Sequence, residues 1–224
     1  MLSKASVLAF DVYGTLIDTN GVLTLLQQFL GAAEAPRFAN HWRDKQLEYS
    51  FRRGLMGAYQ PFATCTRDAL KETTATLGLS LNEDQQNALM KQYLQLPAFD
   101  DVKPSLQALK AQGIKLVAFS NGEASSVQGL LEYNQIEDLF SGIVSCQSIE
   151  KFKPDPEVYQ YLLAQTGGDK DSTWLISSNP FDVTGARSFG LPSAWLQRDS
   201  GKVFDPWQDC QPTRVIGQLG DLVE

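Results

Sequence analysis

Histidine is nearly absent from this sequence, and the single one, His41, reads as a structural or surface residue rather than a base. Cysteine is scarce too. Cys65, Cys146 and Cys210 are odd in number, far apart and without CxxC spacing, which excludes a disulfide framework and a cysteine zinc cluster. The compartment expected from that usage is the reducing cytoplasm. No stretch approaches the ~18 consecutive apolar residues of a membrane span, and the apolar run at 7–10 is too short for the core of a signal peptide. Clustered lysine and arginine are missing as well. With a formal net charge of -7, the chain is poorly suited to nucleic acid as its main partner.

What is present is an ordinary globular balance, 43% hydrophobic over 224 residues, enough for a sizeable core in one domain or one domain with a large insertion. Five short apolar segments, 7–10, 116–119, 143–144, 174–176 and 194–196, read as buried strands. Helical patterns alternate with them: 105–112 closes on Gly113, and 155–164 follows the Pro154/Pro156 pair. That alternation predicts an α/β fold, a doubly wound parallel sheet with helices on both faces. Residues 19–95 break it, since they hold helical patterns only, over 21–30, 36–56, 61–77 and 82–94, punctuated by Gly31, Gly78 and Pro97. The expected division is a core of 1–18 and 96–224 with a helical insertion of 19–95. Along its longest helix, Phe38, Trp42, Leu47, Phe51 and Leu55 read mostly as packing residues.

In open α/β sheets, ligands bind outside the carboxyl ends of the strands. Asp11 follows the first strand, Ser120 and Asn121 follow "LVAF", and Lys153 lies a short loop beyond "GIVS". Ser177, Ser178, Asn179 and Asp182 follow "TWLI". Four strand ends thus deliver polar groups that can converge.

With these residues in place, "FDVYGTLID", "WRDKQLEYS", "FSNG", "KPDPEVY" and "SSNPFDVTGAR" together resemble the haloacid dehalogenase superfamily, and within it the type II (S)-2-haloacid dehalogenases. The DxxGT pattern is a superfamily signal; "WRDKQLEY" with "SSNxxD" is more specific, and the resemblance spans nearly the whole chain. It implies a Rossmann-like core, a four-helix cap inserted after the first strand, and a homodimer. It also implies hydrolytic removal of halide from short 2-haloalkanoates, with inversion, and with no metal or other cofactor.

Phosphatases of the superfamily carry a second aspartate two residues after the nucleophile, and here Tyr13 stands in that place. A phosphate ester leaves as a strongly basic alkoxide and needs a general acid, work for which a phenol of pKa about 10 is a poor donor. A halide is a weak base that departs without a proton. On the resemblance, Asp11 is the nucleophile, and Lys153 keeps it ionised and stabilises the oxyanion of ester hydrolysis. Ser120 with neighbouring amides receives the substrate carboxylate, while Arg43, helped by Asn121, receives the halide. Tyr13, Leu47, Phe62 and Phe181 form apolar walls. Asp182 orients or deprotonates the hydrolytic water, with Asn179 and Ser177 fixing its neighbourhood. Thr15 bonds Asp11 or shapes its turn, and Tyr159 joins the Lys153 and Asp182 network. Plainer readings stand beside these: Lys153 as a loop cap, Ser120 and Asp182 as helix caps, Arg43 as an exposed arginine in an ion pair, and the apolar residues as core. Asp18 reads as the cap of the first inserted helix.

Two positions depart from the pattern. Asp44 follows Arg43 where an uncharged residue is usual, and Phe181, preceded by Pro180, stands where tryptophan is frequent. Two other functions compete: a magnesium-dependent phosphatase of a small metabolite, against which Tyr13 and "SSNPFD" speak, and a noncatalytic metabolite binder, which has no need of an aspartate nucleophile.

Overall fold

The computed structural model describes residues 5–223. Six strands, β1 (Val7–Phe10), β2 (Lys115–Ser120), β3 (Gly142–Ser145), β4 (Thr173–Ser177), β5 (Ser193–Leu196) and β6 (Arg214–Ile216), form one sheet in the order β3-β2-β1-β4-β5-β6. Every pair is parallel. All four residues of β1 are buried, as expected of an inner strand covered on both faces. Chain order runs outward from β1 in both directions, so β1 and its neighbours mark the point where a Rossmann-like sheet opens a crevice at its carboxyl edge. Asp11 begins there: the register pairs Phe10 with Ala118 and with Ile176, and the Asp11 N–H donates to the Ile176 carbonyl at 2.9 Å.

The described residues divide into two compact units, one taking in residues up to Ile17 and from Ala98 onward, the other Asp18–Pro97. In the first, helices α5 (Val102–Ala111), α6 (Ala124–Tyr133), α7 (Pro156–Thr166) and α8 (Pro180–Phe189) alternate with the strands. One face of the sheet, with Val7, Ala9, Val117, Phe119 and Leu175, packs on Val158, Tyr159 and Leu162 of α7 and Ala186 of α8. Helix α5 begins three residues before the sequence pattern does. Pro104 sits in its first turn, where an absent N–H goes unused. The sixth strand was missed because β6 has three residues, of which Val215 is 53% exposed, leaving no buried apolar run to read.

The second unit holds α1 (Leu23–Leu30), α2 (Ala35–Leu55), α3 (Phe62–Thr76) and α4 (Glu83–Gln92). Asp18 caps a short 3-10 turn that leads into α1, its carboxylate accepting from the Asn20 N–H at 2.9 Å. Asn82 and Gln85 close a reciprocal capping box on α4. Phe38 and Trp42 are fully buried and meet edge to face, and Trp42 crosses to α3 by donating its indole N–H to the Thr66 carbonyl at 2.8 Å. Leu55 corrects the packing pattern. It is 91% exposed, being the last residue of α2 at the turn toward α3. Among the described residues, no helix is long and apolar enough to cross a membrane.

Candidate active site

Asp11, 6% exposed, holds three donors on its carboxylate. Thr15 Oγ1 at 2.8 Å and Asn179 Nδ2 at 2.7 Å donate to Oδ2, and Lys153 Nζ at 3.1 Å donates to Oδ1. Each donor comes from a different place in the sequence, and each is itself aimed by a further bond. The Thr15 hydroxyl accepts the Ser178 N–H at 2.8 Å, which leaves its proton for Asp11. Asn179 is the N-cap residue of α8, yet its side chain turns away from the helix to donate also to the Tyr13 carbonyl at 3.0 Å. Ser177, wholly buried, accepts the Asn179 N–H at 3.1 Å and pins that turn.

Lys153 is 1% exposed and spends three donated bonds, to Asp11, to the Phe119 carbonyl at 2.8 Å and to Asp182 Oδ2 at 2.7 Å. Its own N–H donates to Asn121 Oδ1 at 2.8 Å, which ties the lysine loop to the end of β2. Burial opposes the charged ammonium, but the two carboxylates outweigh it and hold Lys153 protonated above the ordinary lysine range. Asp182 is 0% exposed, and Tyr159 donates to its Oδ1 at 2.9 Å. Burial, with Asp11 adding repulsion, pushes the Asp182 carboxyl up to about 6 against the pull of Lys153. Burial likewise drives the neighbouring Cys146 thiol up to about 12, a neutral bystander.

Ser120, 1% exposed, accepts the Gly122 N–H at 3.0 Å. It does not cap the helix that follows, whose N-cap is Glu123; the serine bonds two residues ahead and folds the turn instead. Gly122 is required to be small, because a Cβ there would come within 2.9 Å of the Tyr13 ring. Tyr13 is buried and Phe181 half-buried. Tyr159 is 0% exposed: it belongs to the core beneath Asp182 and joins the Lys153 and Asp182 network by its bond to that carboxylate, with no surface left to meet a substrate. The helix-cap reading of Asp182 gives way too, since its carboxylate is taken by Lys153 and Tyr159.

The carboxyl ends of β1, β2 and β4, together with the loop after β3, therefore bring together Asp11, Tyr13, Thr15, Ser120, Asn121, Lys153, Ser177, Asn179 and Asp182. Arg43, Leu47 and Phe62 belong to the helical unit. There Arg43 and Leu47 are half-buried, Phe62 is 4% exposed, and Asp44 is exposed. Arg43 Nη1 donates to Gln46 Oε1 at 2.6 Å. His41 meets Glu72 at 3.1 Å within the same unit. The sequence reading missed Gln46, Thr66 and Arg198, which carry buried or half-buried polar bonds; a polar residue inside an apolar helical stripe was the one signal available for Gln46. Among the described residues, no group of three or more His, Cys, Asp or Glu side chains is arranged to hold a metal ion. The cation between Asp11 and Asp182 is the Lys153 ammonium.

A family model for haloacid dehalogenase-like hydrolases matches residues 5–190. An (S)-2-haloacid dehalogenase of Pseudomonas fluorescens is 35% identical over 213 residues, 95% of this chain and 92% of the relative. Another, from Pseudomonas sp. strain YL, is 38% identical over 199 residues, 88% of this chain and 84% of the relative. The structure of the L-2-haloacid dehalogenase from Xanthobacter autotrophicus with chloropropionic acid covalently bound superposes with a TM-score of 0.88 at 30% identity, covering 97% of this chain and 96% of that one. Sequence pattern, sheet topology and near full-length relatives agree: the chain belongs to the haloacid dehalogenase-like hydrolases and, within them, to the (S)-2-haloacid dehalogenase group.

Proposed function

We propose that this protein hydrolyses short (S)-2-haloalkanoates to (R)-2-hydroxyalkanoates by two displacements through an ester on Asp11. The observation that carries the reading is the fixing of one carboxylate by three donors, with Tyr13 two residues on and a lysine as its counter-ion. Asp11 Oδ attacks C2 from the side opposite the halogen, the carbon–halogen bond breaks, and the halide leaves with the electron pair. Inversion follows from that backside approach. Water then adds to the ester carbonyl carbon of Asp11, the bond to the ester oxygen breaks, and the hydroxy acid departs with one proton of the water while the other passes to solvent as the Asp11 carboxylate is restored. Asp11 is left with one oxygen from solvent.

The substrate is itself an anion, and two like charges ~4 Å apart repel by about 4 kcal/mol at a surface-like dielectric of about 20. Lys153 offsets that repulsion and stabilises the oxyanion of the second step. Ser120 accepts from Gly122 and so has a proton to give the substrate carboxylate, with nearby amides beside it. Arg43 takes the departing halide, helped by Asn121, and Tyr13, Leu47, Phe62 and Phe181 keep bulk water away during displacement. Asp182 has a value of about 6, suited to a base near neutrality, and each carboxylate oxygen can accept a second bond, so a water reaching Lys153 can also be held by Asp182. Ser177 and Asn179 fix that corner. The homodimer implied by the family resemblance belongs to this reading as its assembly.

The test is halide release from the two enantiomers of 2-chloropropionate by wild type and by Asp11→Asn. Release from the S enantiomer, near inertness toward R, and loss in the variant are expected. Phosphate release that depends on magnesium, without halide release, would replace the reading with a phosphatase.

A further inference from the structure

Gln46 lies on α2, three residues after Arg43 and on the same face, and is 0% exposed. A buried amide is costly unless its bonds are made, and an apolar side chain in a helix–helix contact avoids that cost. The amide here is engaged at both ends. Its Oε1 accepts from Arg43 Nη1 at 2.6 Å, and its Nε2 donates to Thr66 Oγ1 on α3. Thr66, 3% exposed, donates its one hydroxyl proton to the Phe62 carbonyl at 2.9 Å. Thr66 can therefore only accept from Gln46, so the amide has one orientation, carbonyl toward the guanidinium. Trp42 locks the same crossing by donating to the Thr66 carbonyl and packing on Tyr93 at 4.9 Å between ring centres.

We propose that Gln46, held by Thr66, is a positioning residue that aims the Arg43 guanidinium at the departing halide. It rests on the reading of Arg43 given above. The chemistry favours a neutral acceptor in this place. A carboxylate at 46 would orient the guanidinium equally well but cancel its charge, whereas an amide dipole orients it without cancelling that charge. Gln46 touches no reacting atom. Its effect passes through Arg43 and is confined to the first displacement, because halide is gone before the ester is hydrolysed.

That confinement supplies the test. 2-Chloropropionate and 2-bromopropionate form the same ester on Asp11, so the hydrolysis step is a control internal to each variant. Rates of ester formation and of ester hydrolysis are measured in rapid-quench single turnovers for wild type, Gln46→Glu, Gln46→Met and Thr66→Val. Chloride, the poorer leaving group, needs more stabilisation than bromide. In the variants ester formation should slow about tenfold with chloride, the scale of one lost charge-assisted hydrogen bond or of a neutralised guanidinium, and less with bromide, so that the bromo/chloro ratio rises about threefold with ester hydrolysis unchanged. Thr66→Val leaves Gln46 in place and breaks only its anchor, so it tests the relay if a variant at 46 fails to fold. An unchanged ratio in folded Thr66→Val and in either folded variant at 46, or equal slowing of both steps, would overturn the assignment. Wild type that forms no ester from either acid would instead sink the functional reading itself, and the assignment with it.

Discussion

Lys153 stands nearer to Asp182 than to Asp11, 2.7 Å against 3.1 Å, although Asp11 is the proposed nucleophile. The tighter bond goes to the carboxylate that is fully buried, which fixes the ammonium while leaving it in reach of the charge that changes in the proposed reaction. Lys153→Met should lower kcat by about 10³-fold or more, the scale of removing a preorganised charge from an acyl-transfer site. Lys153→Arg should rescue little, because a planar guanidinium cannot meet Asp11, Asp182 and the Phe119 carbonyl with tetrahedrally disposed donors. Both are checked by kcat per folded enzyme, after thermal unfolding has fixed the folded fraction.

The pH profile should carry the signature of Asp182. Its carboxyl titrates at about 6, and its charged form is the one that anchors Lys153, so kcat should fall as pH drops through that value. Tyr159 donates to the carboxylate and thereby favours its charged form. Removing the phenol in Tyr159→Phe raises the carboxyl further, and the acid limb of kcat should move to higher pH. A limb that stays put or moves down would show that a different group titrates.

Asn179→Ala removes one of the three donors on Asp11 and frees the carboxylate to rotate. Misaimed attack should cost about 10²-fold in kcat with little change in KM, since the residue orients the nucleophile and is not called on to bind substrate. Steady-state kinetics on (S)-2-chloropropionate separate the two parameters. A rise in KM at constant kcat would assign Asn179 to substrate binding.

Gly185 on α8 faces the Tyr159 hydroxyl and the Pro154 ring so closely that a Cβ would overlap both. Gly185→Ala should destabilise the fold by about 1–3 kcal/mol through overpacking, visible as a drop in Tm of roughly 2–4 °C per kcal/mol. It should also shift the acid limb upward, in the direction of Tyr159→Phe, by displacing the phenol from Asp182.

Much of the site was legible because strand ends in a parallel sheet are fixed by short apolar runs, and Asp11, Asn121, Lys153 and Asn179 each follow one. The bonds among them were not legible. Nothing in the sequence distinguishes an asparagine that caps α8 from one that turns back to Asp11, because the same backbone serves both. Nor does the sequence show that the Asp182 carboxylate, 0% exposed, is engaged by both Lys153 and Tyr159. Arg198 escaped altogether. It lies far along the chain in a polar loop, yet donates to the Thr15 carbonyl and to Asp101, both at 2.7 Å, and stacks on Phe99, so it steadies the turn after Asp11 from outside. Such pairings span the sequence without periodicity and come into view only with the chain folded.

Ile17 and Ala98 form an antiparallel bridge, so the polypeptide leaves the sheet unit and re-enters it at neighbouring points. A segment tethered in that way makes little demand on the path of the strands it interrupts. Two adjacent ends are all that a foreign insert, long or short, exchanged between those residues would have to match in the backbone of the sheet unit.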